Sequence, residues 1–318
     1  MSEDLTIRTT ALSAHIPPDQ NPAAVYVARL ASSESRRRTL SDLRALARVL
    51  GHEDPVGVPW HLLRYQHTAA IQAKLVEQFG PTCARHRMSV LRCVLEQVWL
   101  LGLMPSDDYQ RARRTGRIAG FRLPVGRSID RGELLALFRA CDASRASGAR
   151  AAAVLGLLYG CGLRRSEVVQ LLRQNYDGQS VKVIGKGNKE RLVPLPAGTI
   201  AAIDNWLRLR GQSEGPLITH VDKSQRIWLY RGLSPRAVEK LVESVRKTAG
   251  VKAFTTHDFR RTFIGDLLDA GIDISTTQKL AGHSFVTTTQ HYDRRPEEVK
   301  RKAAQTLHVP FDLPKPTA

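Results

Sequence analysis

Between residues 22 and 103, apolar side chains recur at three- and four-residue spacing with no strand pattern interrupting them, and this is the tightest constraint on the fold. The segments AAVYVARLA, TLSDLRALARVLG, WHLLRYQHTAAIQAKLVEQFG and RHRMSVLRCVLEQVWLLG each carry one apolar stripe, and the last three end at glycine, which readily closes a helix. Short helices of this kind bury their stripes only against one another, so the stretch predicts a bundle of about four or five helices. Residues 1–18 are polar, irregular and closed by Pro17-Pro18, which predicts a flexible arm.

The pattern changes after the bundle. YQRARRTGRIAGFRLPVGR, residues 109–127, is dense in arginine and broken by Gly116, Gly120, Pro124 and Gly126, a linker composition. The expected organisation is a helical domain at 19–121, a basic linker at 122–128, a second domain at 129–307 and a tail at 308–318. Ser128 or Asp130 caps a helix before GELLALFRACD, and the alanine-rich GARAAAVLGLLYG follows. A sharp GCG turn leads to a helix around RSEVVQLLRQ, and SVKVIG and RLVPLP read as a strand pair joined by KGNKE. Helices are expected over 198–210 and 235–249, with weaker strand signals in PLITHV and RIWLY. THDFRRTFIGDLLDAG, ISTTQKLAGH and PEEVKRKAAQTL are helical again. The fold class is therefore mainly α with a small antiparallel β-sheet, the second domain being α+β.

Forty-eight Lys and Arg against 30 Asp and Glu give a formal net charge of +18 and a sequence pI near 10.3, which calls for a polyanionic partner. No stretch is long and apolar enough to span a bilayer, so nucleic acid is favoured over a membrane. The N-terminus lacks the order of a signal peptide, and a cytoplasmic protein is expected. Cys83, Cys93, Cys141 and Cys161 are scattered without metal-ligand spacing and read as reduced thiols, mostly in helices. IGKGNKER lacks the spacing of a nucleotide-binding loop. No metal and no cofactor are expected. Arg36, Arg37, Arg38, Arg85 and Arg87, near helix starts, and Arg113, Arg114, Arg117 and Arg122, in the basic stretch, are candidate phosphate contacts.

Six residues carry the chemistry. Arg164 follows the glycine-controlled turn where a helix begins, and Glu167, three residues on, shares its face and can hold it. Lys186 lies on the strand-turn-strand between Gly185 and Gly187, with Lys189 as the competing lysine. His257 and Arg260 fall three apart at a helix start and share a face, while Asp258 and Arg261 point elsewhere and are structural. His283 and Tyr292 are nine apart, which on one helix would place them on opposite sides, so Gly282 and a cap at Ser284 must break the helix between them. Thr287-Thr288-Thr289 makes the segment carrying Tyr292 a weak helix, suited to conditional delivery of a nucleophile.

GCGLRRSE, GKGNKERLVPLP, THDFRRT, LAGHS and the tyrosine nine residues after that histidine together resemble the tyrosine recombinases, the phage integrase and Xer family. The resemblance covers residues 127–307 and implies that the helical first domain is a core-binding, SAM-like DNA-binding domain and the second a catalytic domain. Residue by residue it implies Tyr292 as nucleophile, Arg164, Lys186, His257, Arg260 and His283 as activating residues, and Glu167 as their acidic neighbour. It further implies strand cleavage and rejoining through a 3′-phosphotyrosine without metal or ATP, on double-stranded DNA with paired half-sites, by dimers and tetramers in the nucleoid. Phe259 and Arg261 depart from the leucine and histidine of many Xer members, which favours a mobile-element or replicon enzyme over a housekeeping one. The helix at 296–307 with the tail VPFDLPKPTA is expected to dock on a neighbouring protomer.

Overall fold

Asn21 turns the chain into its first helix. Its side-chain oxygen accepts from the backbone of Ala23 and Ala24, its amide donates to Val56 at 2.9 Å, and Pro22 supplies the first helical position. The computed structural model describes residues 17, 19–120, 126–185, 189–283 and 304–305. It divides into two compact units, Met1–Pro124 and Val125–Ala318. The expected arm before residue 17, Arg122, Lys186, Tyr292, and the docking helix and tail apart from 304–305 lie outside the described residues.

The first unit comprises α1 (Pro22–Ala28), α2 (Ser33–Val49), α3 (Tyr65–Gln78), α4 (Pro81–Leu100) and α5 (Ser106–Arg113). Helix α2 begins six residues before the apolar pattern does. Ser32 caps it by accepting from Ser35, and the polar SESRRR turn carries no stripe to reveal it. WHLL is not the start of α3: Trp60–Leu62 forms a separate 3-10 turn, whose fully buried Trp60 donates its indole N–H to Pro55 at 2.8 Å. Residues 106–113 form a helix that runs into the stretch of linker composition at 109–127. Tyr109 and Ala112, both buried, anchor α5, and Tyr109 stacks on Trp99 at 5.2 Å. Leu43, Leu46, Trp60, Ile71, Leu75, Leu91 and Leu95 form the centre of this core.

The second unit opens with a capping box: Asp130 accepts from the Glu133 backbone while Glu133 accepts from Asp130, starting α6 (Arg131–Arg139). Helix α7 (Ala146–Tyr159) is buried along most of its length and packs on α9 (Ala197–Arg210), whose Trp206 is fully buried and donates to Leu217. Between them lie α8 (Arg165–Gln170) and the antiparallel pair β1 (Ser180–Ile184) and β2 (Glu190–Pro194), with Val181 opposite Val193 and Val183 opposite Arg191. β3 (Thr219–Val221) and β4 (Ile227–Gly232) pair separately, so two ribbons stand where one small sheet was expected. Then come α10 (Pro235–Thr248), α11 (Thr256–Asp269) and α12 (Ile274–Ala281). Asp258 is structural, as expected: it is 2% exposed, caps α11 by accepting from Thr255, and accepts from the backbone of Arg127. Cys83 and Cys93 sit in α4, but Cys141 and Cys161 lie just beyond α6 and α7; all four are free thiols.

Candidate active site

The turn after α7 builds two parts of the site at once. Gly162 adopts a left-handed conformation, φ 59°, and the Phe263 ring occupies the space a Cβ would need, so only glycine fits. Its carbonyl accepts from Arg260 Nη1 at 2.7 Å, tying α11 to the turn. Two residues on, Arg164 is the N-cap of α8. Its backbone N–H and its Nη1 both donate to the carboxylate of Glu167, each at 2.9 Å, and its Nη2 reaches Gly282 O at 3.5 Å.

Glu167 is only 4% exposed while the Arg164 side chain is 39% exposed, so the pair is buried at its carboxylate end and open at its guanidinium end. Burial alone would raise its pKa, but hydrogen bonds and charge from Arg191 and Arg164 outweigh it and hold the carboxyl below the usual range. Arg191 donates to both oxygens of Glu167, at 3.2 and 3.0 Å, in the two-bond geometry a guanidinium favours.

His257 and Arg260 stand on α11 as the spacing predicted, Arg260 2% exposed and His257 open to solvent on one side. Helix α12 ends at Gly282 in a left-handed cap, φ 65°, just before His283; the expected cap at Ser284 and the segment on to Tyr292 lie outside the described residues. The backbone of His283 is tied back at both ends of its peptide: its N–H donates to Gln278 O at 3.1 Å and its carbonyl accepts from Gln278 Nε2 at 3.0 Å.

Electrostatics link these separate elements. His283 is pushed down to about 3, first by burial and then by the charges of Arg260, Arg164, His257 and Arg191. His257 is lowered by the same combination, with Arg260 its strongest cationic neighbour; since it keeps an exposed edge, the arginine is the durable cause. Both imidazoles are therefore neutral at pH 7. Fixed positive charge here comes from the arginines, while a neutral imidazole can donate a hydrogen bond or accept a proton.

Arg164, His257 and Arg260 line a cleft of about 320 Å³ with Leu163, Ser166 and Thr256, and an Arg165–Glu239 ion pair stands at it. A second cleft of about 450 Å³ is walled by Phe138, Tyr159, Pro196, Phe263 and Leu267; it is apolar and holds none of the candidates. Among the described residues, no group of His, Cys, Asp and Glu could hold a metal ion.

The arginines of the first unit are disposed differently. Arg85 and Arg87 lie in the second turn of α4 and not at its start. Arg85 donates to the carbonyls of Ile118 and Gly120, and Arg87 pairs with Asp42 at 3.4 Å and covers the Phe79 ring at 3.7 Å. Arg113 donates to Tyr109, Arg36 to the carbonyls of Leu30 and Ala31, and Arg37 pairs with exposed Glu34. Arg38 is exposed on α2, and Arg114 and Arg117 are exposed or partly so beyond α5.

Sequence reasoning passed over Arg191. The signal that could have found it is an inverted strand pattern: in ERLVP, Arg191 shares the inward face with Val193, while Leu192 beside it is 67% exposed.

Residues 127–298, more than half of the chain, match the model of the phage integrase family. The chain belongs to that family. The matched span contains all six candidate residues. This integrase-family chain is 36% identical over 185 residues to the tyrosine recombinase XerC of Myxococcus xanthus, an alignment covering 55% of this chain and 60% of that protein. The chain thus spans about 60% of the length of the curated relatives it matches first. Its fold is shared with a lambda integrase dimer bound to a COC′ core site, at 17% identity and a TM-score of 0.62 over 86% of this chain and 93% of that one. It is also shared with the Tn1549 transposon integrase in complex with transposon right end DNA, at 13% identity and a TM-score of 0.65 over 92% and 99%.

Proposed function

We propose that this integrase-family chain is a site-specific DNA recombinase that cleaves and rejoins strands through a 3′-phosphotyrosine, without metal or ATP. The observation that carries this reading is the convergence of Arg164, His257, Arg260 and His283, from three separate elements, into one electrostatically coupled group beside a cleft. Permanently charged guanidiniums can meet the charge that develops on a phosphodiester, the task a metal performs elsewhere.

In the proposed reaction Tyr292 Oη attacks the scissile phosphorus, the P–O3′ side stays on the enzyme-linked strand, and the P–O5′ bond breaks. The tyrosine proton passes to neutral His257, and Lys186 gives a proton to the departing 5′-oxygen. Arg164 and Arg260 stabilise the nonbridging oxygens, and neutral His283 adds a hydrogen bond. Attack by a second 5′-hydroxyl on the phosphotyrosine reverses the step on a new partner. Glu167 keeps Arg164 in place.

The substrate is double-stranded DNA bearing paired half-sites, bound in the cytoplasm by dimers that join as tetramers, with the helical unit as a core-binding domain. The proposed setting is integration, excision or resolution of a mobile element or replicon, which the departures at Phe259 and Arg261 support. The test uses a nicked suicide duplex in EDTA. The wild type is expected to accumulate a covalent protein–DNA adduct and Tyr292→Phe none, with binding unchanged; an adduct in the Phe variant overturns the assignment.

A further inference from the structure

Arg191 occupies an unusual place. It stands on the inward face of β2, opposite Val183 and in line with Val193, where an apolar side chain would ordinarily pack. Its side chain is 16% exposed, and its Nε is buried without a hydrogen-bond partner, although both terminal nitrogens are satisfied by Glu167. A buried cation with an unsatisfied donor is costly, so the position is not explained by stability.

The guanidinium touches three pieces of the site at once. It clamps Glu167, which in turn holds Arg164. It fills the space that a Cβ at Gly282 would need, 2.7–2.9 Å from such an atom, directly before His283. It also borders Gly185, where the turn joining β1 to β2 begins and a Cβ would lie 3.3 Å from Nη1. Gly282 is thus glycine for two reasons, its left-handed backbone and the arginine packed against it.

We infer that Arg191 is a positioning residue that locks Arg164, through Glu167, to the Gly282 cap of α12 that leads into His283. The inference rests on the recombinase reading for its consequence in cleavage, but the coupling itself is a property of the folded protein. The titratable and charged groups facing His283 are Arg260 and His257 from α11, Arg164 from the α8 cap and Arg191 from β2. Losing the last should raise the histidine's pKa from its depressed position.

The experiment compares full-length Arg191→Gln, Arg191→Lys, Glu167→Gln and the Arg191→Gln/Glu167→Gln double variant. Two readouts are taken: single-turnover adduct formation on the suicide duplex, and NMR titration of the His283 ring without DNA. Arg191→Gln is expected to slow adduct formation roughly 10- to 100-fold at unchanged DNA affinity. Arg191→Lys keeps the charge but not the paired bonds, and should stay at least about ten-fold slow. The double variant should be no slower than the slower single, because both act through one clamp. In Arg191→Gln the His283 titration should move upward.

Full rate in Arg191→Lys, additive losses in the double variant, or an unmoved His283 titration would each overturn the inference. If Arg191→Gln alone does not fold, because Glu167 is left buried and unpaired, the double variant and Arg191→Lys carry the test. A wild type that forms no adduct sinks the recombinase reading instead, and the His283 titration then decides the coupling by itself.

Discussion

Arginines crowd both units of this chain, yet they are used in opposite ways. In the helical unit Arg85 and Arg87 spend their donors on carbonyls and a carboxylate of their own chain, and Arg87 also covers Phe79. In the second unit Arg164 and Arg260 are held from behind, by Glu167 and by the Gly162 carbonyl, and both line a cleft. Arginine density alone therefore does not separate the two uses. Each of the two has a partner that fixes its orientation: Arg164, 39% exposed, faces the cleft openly, and Arg260, 2% exposed, reaches the cleft wall from within the core.

The strongest way to break this comparison is to remove one arginine from each class. Arg164→Ala should slow adduct formation by about 10²- to 10³-fold at saturating DNA, the usual loss for one preorganised transition-state contact. Arg87→Ala should leave that rate within about three-fold of wild type. Single-turnover assays on the suicide duplex decide it, and comparable losses in the two variants would erase the distinction.

A second, smaller effect reverses the ranking. Arg87→Ala leaves Asp42, whose side chain is 11% exposed, with only the His86 imidazole at 3.1 Å, uncovers the Phe79 ring, and should lower unfolding stability by about 2 kcal/mol, read from the urea midpoint. Arg37→Ala, whose pair with Glu34 is 78% and 72% exposed, should stay within about 0.5 kcal/mol. Equal effects would mean that burial does not separate the two pairs.

These contrasts also explain what could be read from the sequence. Signals that act locally were legible: a helix cap at Ser128 or Asp130, of which Asp130 is the one used, the glycine turn before Arg164, the three-residue spacing of His257 and Arg260, and the helix end at Gly282. Features set by distant partners were not. Tyr109 and Ala112 make α5 a helix only because a core and Trp99 await them, so an arginine-rich stretch read as linker. Arg85 and Arg87 were read as helix-start charges because Pro81, four residues earlier, is where α4 begins. Arg191 was invisible because its meaning depends on which face of β2 turns inward, and Leu192 pointed the pattern the wrong way.

Acid should expose the last and smallest difference. Both units hold a histidine below its ordinary pKa: His61, through burial and Arg64, and His283, through burial and the site arginines, down to about 3. A depressed pKa means that the unfolded chain takes up a proton first. The stability associated with neutral His283 is therefore complete above the unfolded value near 6.5 and is lost as pH falls from there towards about 3. His61 contributes loss of the same sign, starting in the same place. The thermal midpoint should accordingly fall by a few degrees between about pH 6.5 and 5, and His61→Gln and His283→Gln should each flatten part of that slope. DNA separates the two. A phosphate seated beside Arg164 and Arg260 offsets the charges that disfavour the His283 imidazolium, so bound DNA should raise the His283 titration while leaving His61 where it was. NMR titration of the Tyr292→Phe variant with and without duplex reads both rings at once. Equal movement of the two rings would place phosphate at both units and end the distinction between arginines that serve the fold and arginines that serve the site.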